Sequence, residues 1–205
     1  MAAAARKAVD PLGVLLAEIR ACRICEAHLP HGVRPVLRAS MTARICIVGQ
    51  APGIRVHNTG VPFDDPSGDR LRDWMGIDRD TFYDESRIAI VPMGFCFPGY
   101  DAQGADKPPR RECARHWRER LFAALPQFPL TLVIGSYAQR WHLGQTAKAN
   151  VSETVRAWRD YAPTCIPLPH PSWRNNAWLK KNPWFAEELL PTLRRRVQRL
   201  VAAPQ

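Results

Sequence analysis

Four short runs of consecutive apolar residues mark the chain, and each ends at or near a glycine or proline. They are "ARICIVG" (43–49), "SRIAIVPMG" (86–94), "LTLVIGSYA" (130–138) and "TCIPLPH" (164–170). Apolar runs without polar alternation suit strands covered on both faces, so these predict the buried strands of a parallel sheet. The prolines of the fourth run cannot donate to a ladder, which places it at an edge or a strand end. Between the runs the spacing becomes helical. Leu15, Leu16 and Ile19 share one face of "VLLAEIRAC", and "RRECARHWRERLFAALP" repeats apolar positions at about i, i+4 and i+7. "SGDRLRDWMG" predicts a helix capped by Ser67 and stopped by Gly76. "KNPWFAEELLPTLRRRVQRLV" opens with Asn182 as cap and Pro183 in its first turn, and Pro191 should kink or divide it.

Strands alternating with helices predict an α/β fold, a three-layer sandwich with a central, mostly parallel, four-stranded sheet. Neither a repeat nor a low-complexity linker interrupts the chain, so residues 1–205 are expected to form a single domain. Ligands of such sheets sit beyond the carboxyl ends of the strands. Segments 49–53, 92–100, 135–137 and 170–176 should therefore gather around one site.

Composition narrows the setting. The apolar content of 46% and charged content of 23% are ordinary for a globular protein. No apolar run approaches the roughly 20 residues of a membrane span. The Ala-rich opening lacks the apolar stretch of a signal peptide, so a cytoplasmic protein without a membrane partner is expected. Charge adds more. Lys plus Arg total 29 against 19 acidic residues, a net +10. The planar fork of Arg suits phosphate, and a basic balance favours a nucleic-acid partner. On charge alone, a solvated basic surface reads the same way.

Two motifs carry the chemistry: "VGQAPG" followed by "GVPFDDPSG", and "LPHPSWRNNAW" about 120 residues later. Together and in this order they resemble the uracil-DNA glycosylase superfamily. The likeness is nearest to its iron–sulfur branch, family 4, whose first motif is Gly-Glu-Ala-Pro-Gly followed by Gly-x-Pro-Phe. It runs from about Ile19 to the C-terminal helix. It implies a monomeric enzyme that flips a base into a pocket and hydrolyses its glycosidic bond. Gly49 and Gln50 would form a turn whose backbone binds the base, and Phe63 would stack on it. His170 would support the departing anionic base. The loop with Ser172, Arg174 and Asn175 would enter the minor groove, with Lys180 and Lys181 near phosphates.

Three departures bear on mechanism. Gln50 stands where the related branch has Glu. Ala51 and the pair Val56 and His57 replace acidic positions, which leaves His57, Asp64 and Asp65 as groups able to polarise water. His57 is favoured, because a neutral imidazole accepts a proton near pH 7. Pro92 stands where related enzymes present a base-reading Asn, with Asn58 a candidate substitute.

Cys22 and Cys25 form a C-x2-C pair, and Cys96 and Cys113 complete a set that resembles the ligands of that branch's [4Fe–4S] cluster. Four thiolates suit zinc as well. Cys46 and Cys165 lie in apolar runs and read as small core residues. The resulting expectation is a monofunctional enzyme of base excision repair that acts on uracil or another deaminated base and leaves an abasic site. No Lys lies in the first motif to form a Schiff base. The rival is a weakly catalytic or non-catalytic binder of abasic or single-stranded DNA.

Overall fold

The computed structural model describes residues 10–203, so most of the Ala-rich opening lies outside the described residues. Helix α1 (Pro11–Arg20) leads through a short 3₁₀ turn (Glu26–His28) and an extended segment to strand β1 (Ile45–Val48). Helices α2 (Ile54–Thr59), α3 (Pro66–Met75) and α4 (Arg79–Tyr83) precede β2 (Ile88–Ile90). Then come α5 (Arg111–Ala124), β3 (Leu130–Ile134), α6 (Gly135–Leu143), α7 (Val151–Arg156), β4 (Cys165–Leu168), α8 (Asn176–Lys181) and α9 (Leu190–Ala202).

All four expected strands form, in the order β2-β1-β3-β4, and every pairing is parallel. Ile45 lies level with Ile88 on one side and Leu130 on the other. Proline-bearing β4 is an edge strand, where its missing donors cost least. Alternation along β1 explains the three layers. Ile45 and Ile47 face a core built with Leu71 and Trp74 of α3, Val155 of α7, and Leu193 and Val197 of α9. Cys46 and Val48 face the opposite core, with Leu15 and Ile19 of α1, Trp117 and Leu121 of α5, and Ala138 of α6. Cys46 is fully buried, and burial pushes its thiol up to about 12. Cys165 packs against the same core.

Two helix ends differ from the sequence expectation. Asp65, not Ser67, caps α3: its carboxylate accepts from the Gly68 amide at 2.9 Å, and Pro66 occupies the first turn. A proline fits there because its missing N–H has no intrahelical partner to lose. Gly76 ends the helix with left-handed φ 67°, as expected. Asn182 closes α8 instead of capping the next helix. Its amide donates to the Trp178 carbonyl at 2.8 Å, and its side-chain oxygen accepts from the Trp184 indole at 3.0 Å. Pro191 does mark a division. A π-helical turn (Phe185–Leu189) runs directly into α9, which has the proline in its first turn. The wider turn accommodates a residue that cannot donate four positions back.

The chain leaves β1 toward β2 and leaves β3 toward β4, in opposite directions across the sheet. The carboxyl ends of these two neighbours therefore bound a crevice, the usual ligand position in such sheets. Among the described residues no helix is long and apolar enough to cross a membrane.

Candidate active site

The crevice is a cavity of about 750 Å³. Its walls are the loop Gly49–Gly53, Phe63 and Asp65, Pro92 after β2, Tyr100 and Asp106 from the long loop before α5, and His170 to Asn175 after β4. Of the expected site residues, Gly49, Gln50, Phe63, His170, Ser172, Arg174 and Asn175 all meet here.

Phe63 is held in an uncommon backbone state. Its φ of 56° is left-handed, the only such non-glycine among the described residues. That conformation costs roughly 1–2 kcal/mol in an L-residue and persists only where neighbours enforce it. Gly68 is one enforcer. A Cβ at Gly68 would stand 1.8 Å from the Phe63 carbonyl oxygen, so only glycine lets α3 close against this turn. The ring then leans over the Gly-rich loop, with Phe63 Cζ 3.3 Å from where a Gly49 Cβ would sit. Its outer edge meets Phe82 at a centroid separation of 6.2 Å. A planar ring above a bare backbone turn makes a slot suited to a flat heterocycle.

The Gly-rich loop is locked from beneath. Gly49 and Gln50 carbonyls accept from the amides of Met93 and Gly94 at 2.9 and 3.0 Å. Arg118, fully buried on α5, donates to the Pro92 carbonyl at 2.9 Å. Its guanidinium packs over the adjoining rings of Phe122 and Trp141 and also meets His142 Nε2 at 2.9 Å. Burial and the adjacent guanidinium push His142 down to about 3, so it is neutral and its Nε2 accepts. Arg118 is invisible as a site residue in the sequence, because "RHWRER" reads as a solvated basic helix face.

His170 is fixed through its backbone. Asn175 donates to the His170 carbonyl at 2.6 Å, and buried Gln139 of α6 holds the Leu168 carbonyl at 3.0 Å. Arg70 of α3 holds the Ser172 carbonyl at 3.0 Å, while the Ser172 hydroxyl accepts from the Arg174 amide. Burial lowers the imidazole's proton affinity, and the nearby Asp65 charge partly restores it. A neutral imidazole with one N–H can donate to an oxygen that is gaining charge. Trp173, at the rim, is 70% exposed.

His57 and Asn58 are not brought into the cavity. The turn of α2 carries the His57 ring toward Phe97 and His31, at centroid distances of 6.2 and 6.3 Å, and its buried Nδ1 has no partner among the described residues. Asn58 lies exposed, with its carbonyl accepting from Arg34 at 2.9 Å. Asp64 is also engaged elsewhere, in an ion pair with Arg79 at 2.8 Å that holds its carboxyl below the usual range. Arg55 and Val56 line the cavity in place of His57. Sequence reasoning misses Asp106, which sits in a Gly- and Asp-rich stretch that looks like ordinary turn chemistry.

Cys22, Cys25, Cys96 and Cys113 line one small cavity of about 20 Å³, walled by Ile19, Leu29, Phe95 and Trp117. The Trp117 indole donates to Cys22 Sγ at 3.3 Å and the Phe95 amide to Cys113 Sγ at 3.4 Å. None of the four is in a disulfide. Among the described residues no three Cys, His, Asp or Glu groups stand at separations that would hold a metal ion. The thiols thus share a cavity without forming a closed ligand shell.

A family model described as the uracil DNA glycosylase superfamily matches residues 38–194, a stretch that takes in the whole sheet and every lining residue of the crevice except Val36.

Proposed function

Because the chain belongs to the uracil DNA glycosylase superfamily, we propose that it excises uracil from DNA by hydrolysis, leaving an abasic site for base excision repair. The supporting observation is the slot between Phe63 and the Gly49–Gly53 loop, with His170 on the same cavity. A uracil turned out of the stack enters this slot and gains about 1–3 kcal/mol from the aromatic face. As the C1′–N1 bond lengthens, negative charge grows on the base oxygens. The His170 N–H stabilises that charge in the transition state more than in the ground state. Arg118 keeps Pro92 and the adjoining wall in register. Pro92 offers no side-chain amide to read the base edge, so selection falls to backbone groups and to slot shape. The site has no Lys in the Gly-rich loop, in keeping with a monofunctional hydrolase.

A single-turnover assay on uracil-containing duplex and single strands tests this reading, with alkali revealing abasic sites. Wild-type protein is expected to cleave. His170→Ala is expected to lose about a hundredfold to a thousandfold in rate, the usual effect of deleting one preorganised donor. Binding of the uracil strand should change little. Cleavage by His170→Ala at the wild-type rate would remove the histidine from the chemistry.

We further propose that Cys22, Cys25, Cys96 and Cys113, four thiols lining one cavity with two of them accepting N–H donors, would hold a [4Fe–4S] cluster once drawn into a ligand shell around it. Such a cluster would supply a structural cross-link between the α1 end, the segment after β2 and the start of α5. Hydrolysis needs no electron from it. Anaerobically purified protein is expected to be brown and to contain iron and acid-labile sulfide. Colourless protein carrying stoichiometric zinc would reassign the site.

A further inference from the structure

Hydrolysis requires more than a slot and an anion-stabilising histidine. A water must attack C1′ from the face opposite the base, and the sugar passes through a cationic state that a carboxylate stabilises. Two carboxylates line the cavity, Asp65 and Asp106. Asp65 has a structural task as the α3 cap and lies near His170. Asp106 has none: among the described residues its side chain makes neither a hydrogen bond nor an ion pair. Its backbone is nonetheless anchored, as the segment forms an antiparallel bridge between Tyr100 and Asp106 and the Lys107 amide donates to the Gly99 carbonyl at 2.9 Å. The side chain projects over the Gly-rich loop, with Oδ2 3.7 Å from where a Gly53 Cβ would stand.

We infer that Asp106 is the residue that positions the hydrolytic water and balances the cationic sugar, a role that deepens the proposed glycosylase reading and rests on it. In the step so assigned, the water oxygen bonds to C1′ while the C1′–N1 bond breaks and its electron pair leaves with the base. The proton of the water passes to the Asp106 carboxylate and from there to solvent. The anionic base, held by His170, takes up a proton from solvent as it departs. Ala51 supplies no polar side chain at its own place in the loop, and a different loop brings the carboxylate to the same end of the cavity.

The electrostatic setting agrees with that role. Removal from bulk water raises the Asp106 carboxyl, Asp65 raises it further, and Arg174 opposes both. The residue is nonetheless exposed to solvent. Arg55, Tyr100, Lys107 and His170 are the remaining charged or titratable groups on the cavity wall. The net effect holds the Asp106 carboxyl above the usual carboxylate range, chiefly through loss of solvent.

The test uses full-length protein in single-turnover cleavage at saturating uracil DNA, with Asp106→Asn and Asp106→Glu beside the wild type. Asp106→Asn is expected to cleave about a hundredfold to ten-thousandfold more slowly, the usual range for a lost general base. It should bind uracil and abasic DNA at least as tightly as wild type, because it removes a negative charge. Wild-type rate should fall on acidification along a limb that Asp106→Asn lacks, and Asp106→Glu should regain part of the rate. A purely positional side chain would leave that acid limb in place. Asp106→Asn cleaving as fast as wild type would overturn the Asp106 assignment and leave the glycosylase reading intact. Wild type failing to cleave any uracil DNA would overturn both.

Discussion

His142 shows how one partly buried residue sets a property of the whole protein. It accepts from Arg118, and burial together with that guanidinium pushes it from 6.5 down to about 3. Above pH 6.5 the ring is neutral in the folded and unfolded chains, and its contribution to stability is fully present. Below that value the unfolded chain takes up a proton that the folded chain refuses until about pH 3. Stability therefore falls on acidification, by about 1.4 kcal/mol per pH unit for one such group. His170 is shifted in the same direction and adds to the trend. A His142→Gln variant keeps an acceptor for Arg118 and has no proton to gain. Urea unfolding midpoints followed from pH 8 to pH 4.5 should fall less steeply in this variant than in wild type. Parallel curves would mean that the imidazole takes up its proton at the same pH in the folded and unfolded chains.

At the scale of elements, the sequence is legible wherever burial acts on a whole segment. The four strands appear as apolar runs because both faces are covered, and the prolines of β4 announce its edge position. Helix ends are less legible, since neighbouring residues compete for the cap: Asp65 takes it from Ser67 because Pro66 suits the first turn. The same turn explains a feature of the motif that the letters do not reveal. Gly68 is required because the Phe63 carbonyl occupies the space of a side chain, and this approach sets the ring above the Gly-rich loop. His57 misleads for the opposite reason. Short α2 places adjacent residues on different sides, so Val56 meets the cavity and His57 meets Phe97. A one-residue difference on a helix is a rotation of about 100°, and proximity in sequence to the loop says nothing about direction. Asp106 and Arg118 come from a loop and a helix face whose local composition looks ordinary. Only the tertiary fold gives them a role.

Across the whole molecule the net charge of +10 is not one surface. The cations of α9 lie at the amino ends of the strands: Arg196 holds the Pro129 carbonyl just before β3, and Val201 receives Arg87 just before β2. The crevice opens at the other end. Beside it a second cavity of about 890 Å³ is lined by His28, Lys107, Arg110, Arg111 and Arg115, and Lys107 belongs to both walls. Lys107, Arg111 and Arg115 are exposed and form no ion pair among the described residues, whereas Arg110 is paired with Glu112. Lys180 and Lys181, at the end of α8 beyond the Trp173 rim, are likewise exposed. The proposed DNA path therefore runs across the mouth between these two groups. Removing a cation that neutralises one phosphate should flatten the dependence of log K on log salt by about 0.9 for duplex DNA. Replacing Lys180 and Lys181 by Ala, or Arg111 and Arg115 by Ala, should reduce that slope and weaken all sequences alike, with saturated cleavage rates little changed. Replacing Arg195 and Arg199 on α9 removes the same charge from the far end and should leave the slope as it is. If all three double variants shift the slope equally, net charge alone governs binding and the directional path is wrong. If only the α9 variant shifts it, the DNA lies at the amino ends of the strands, away from the slot.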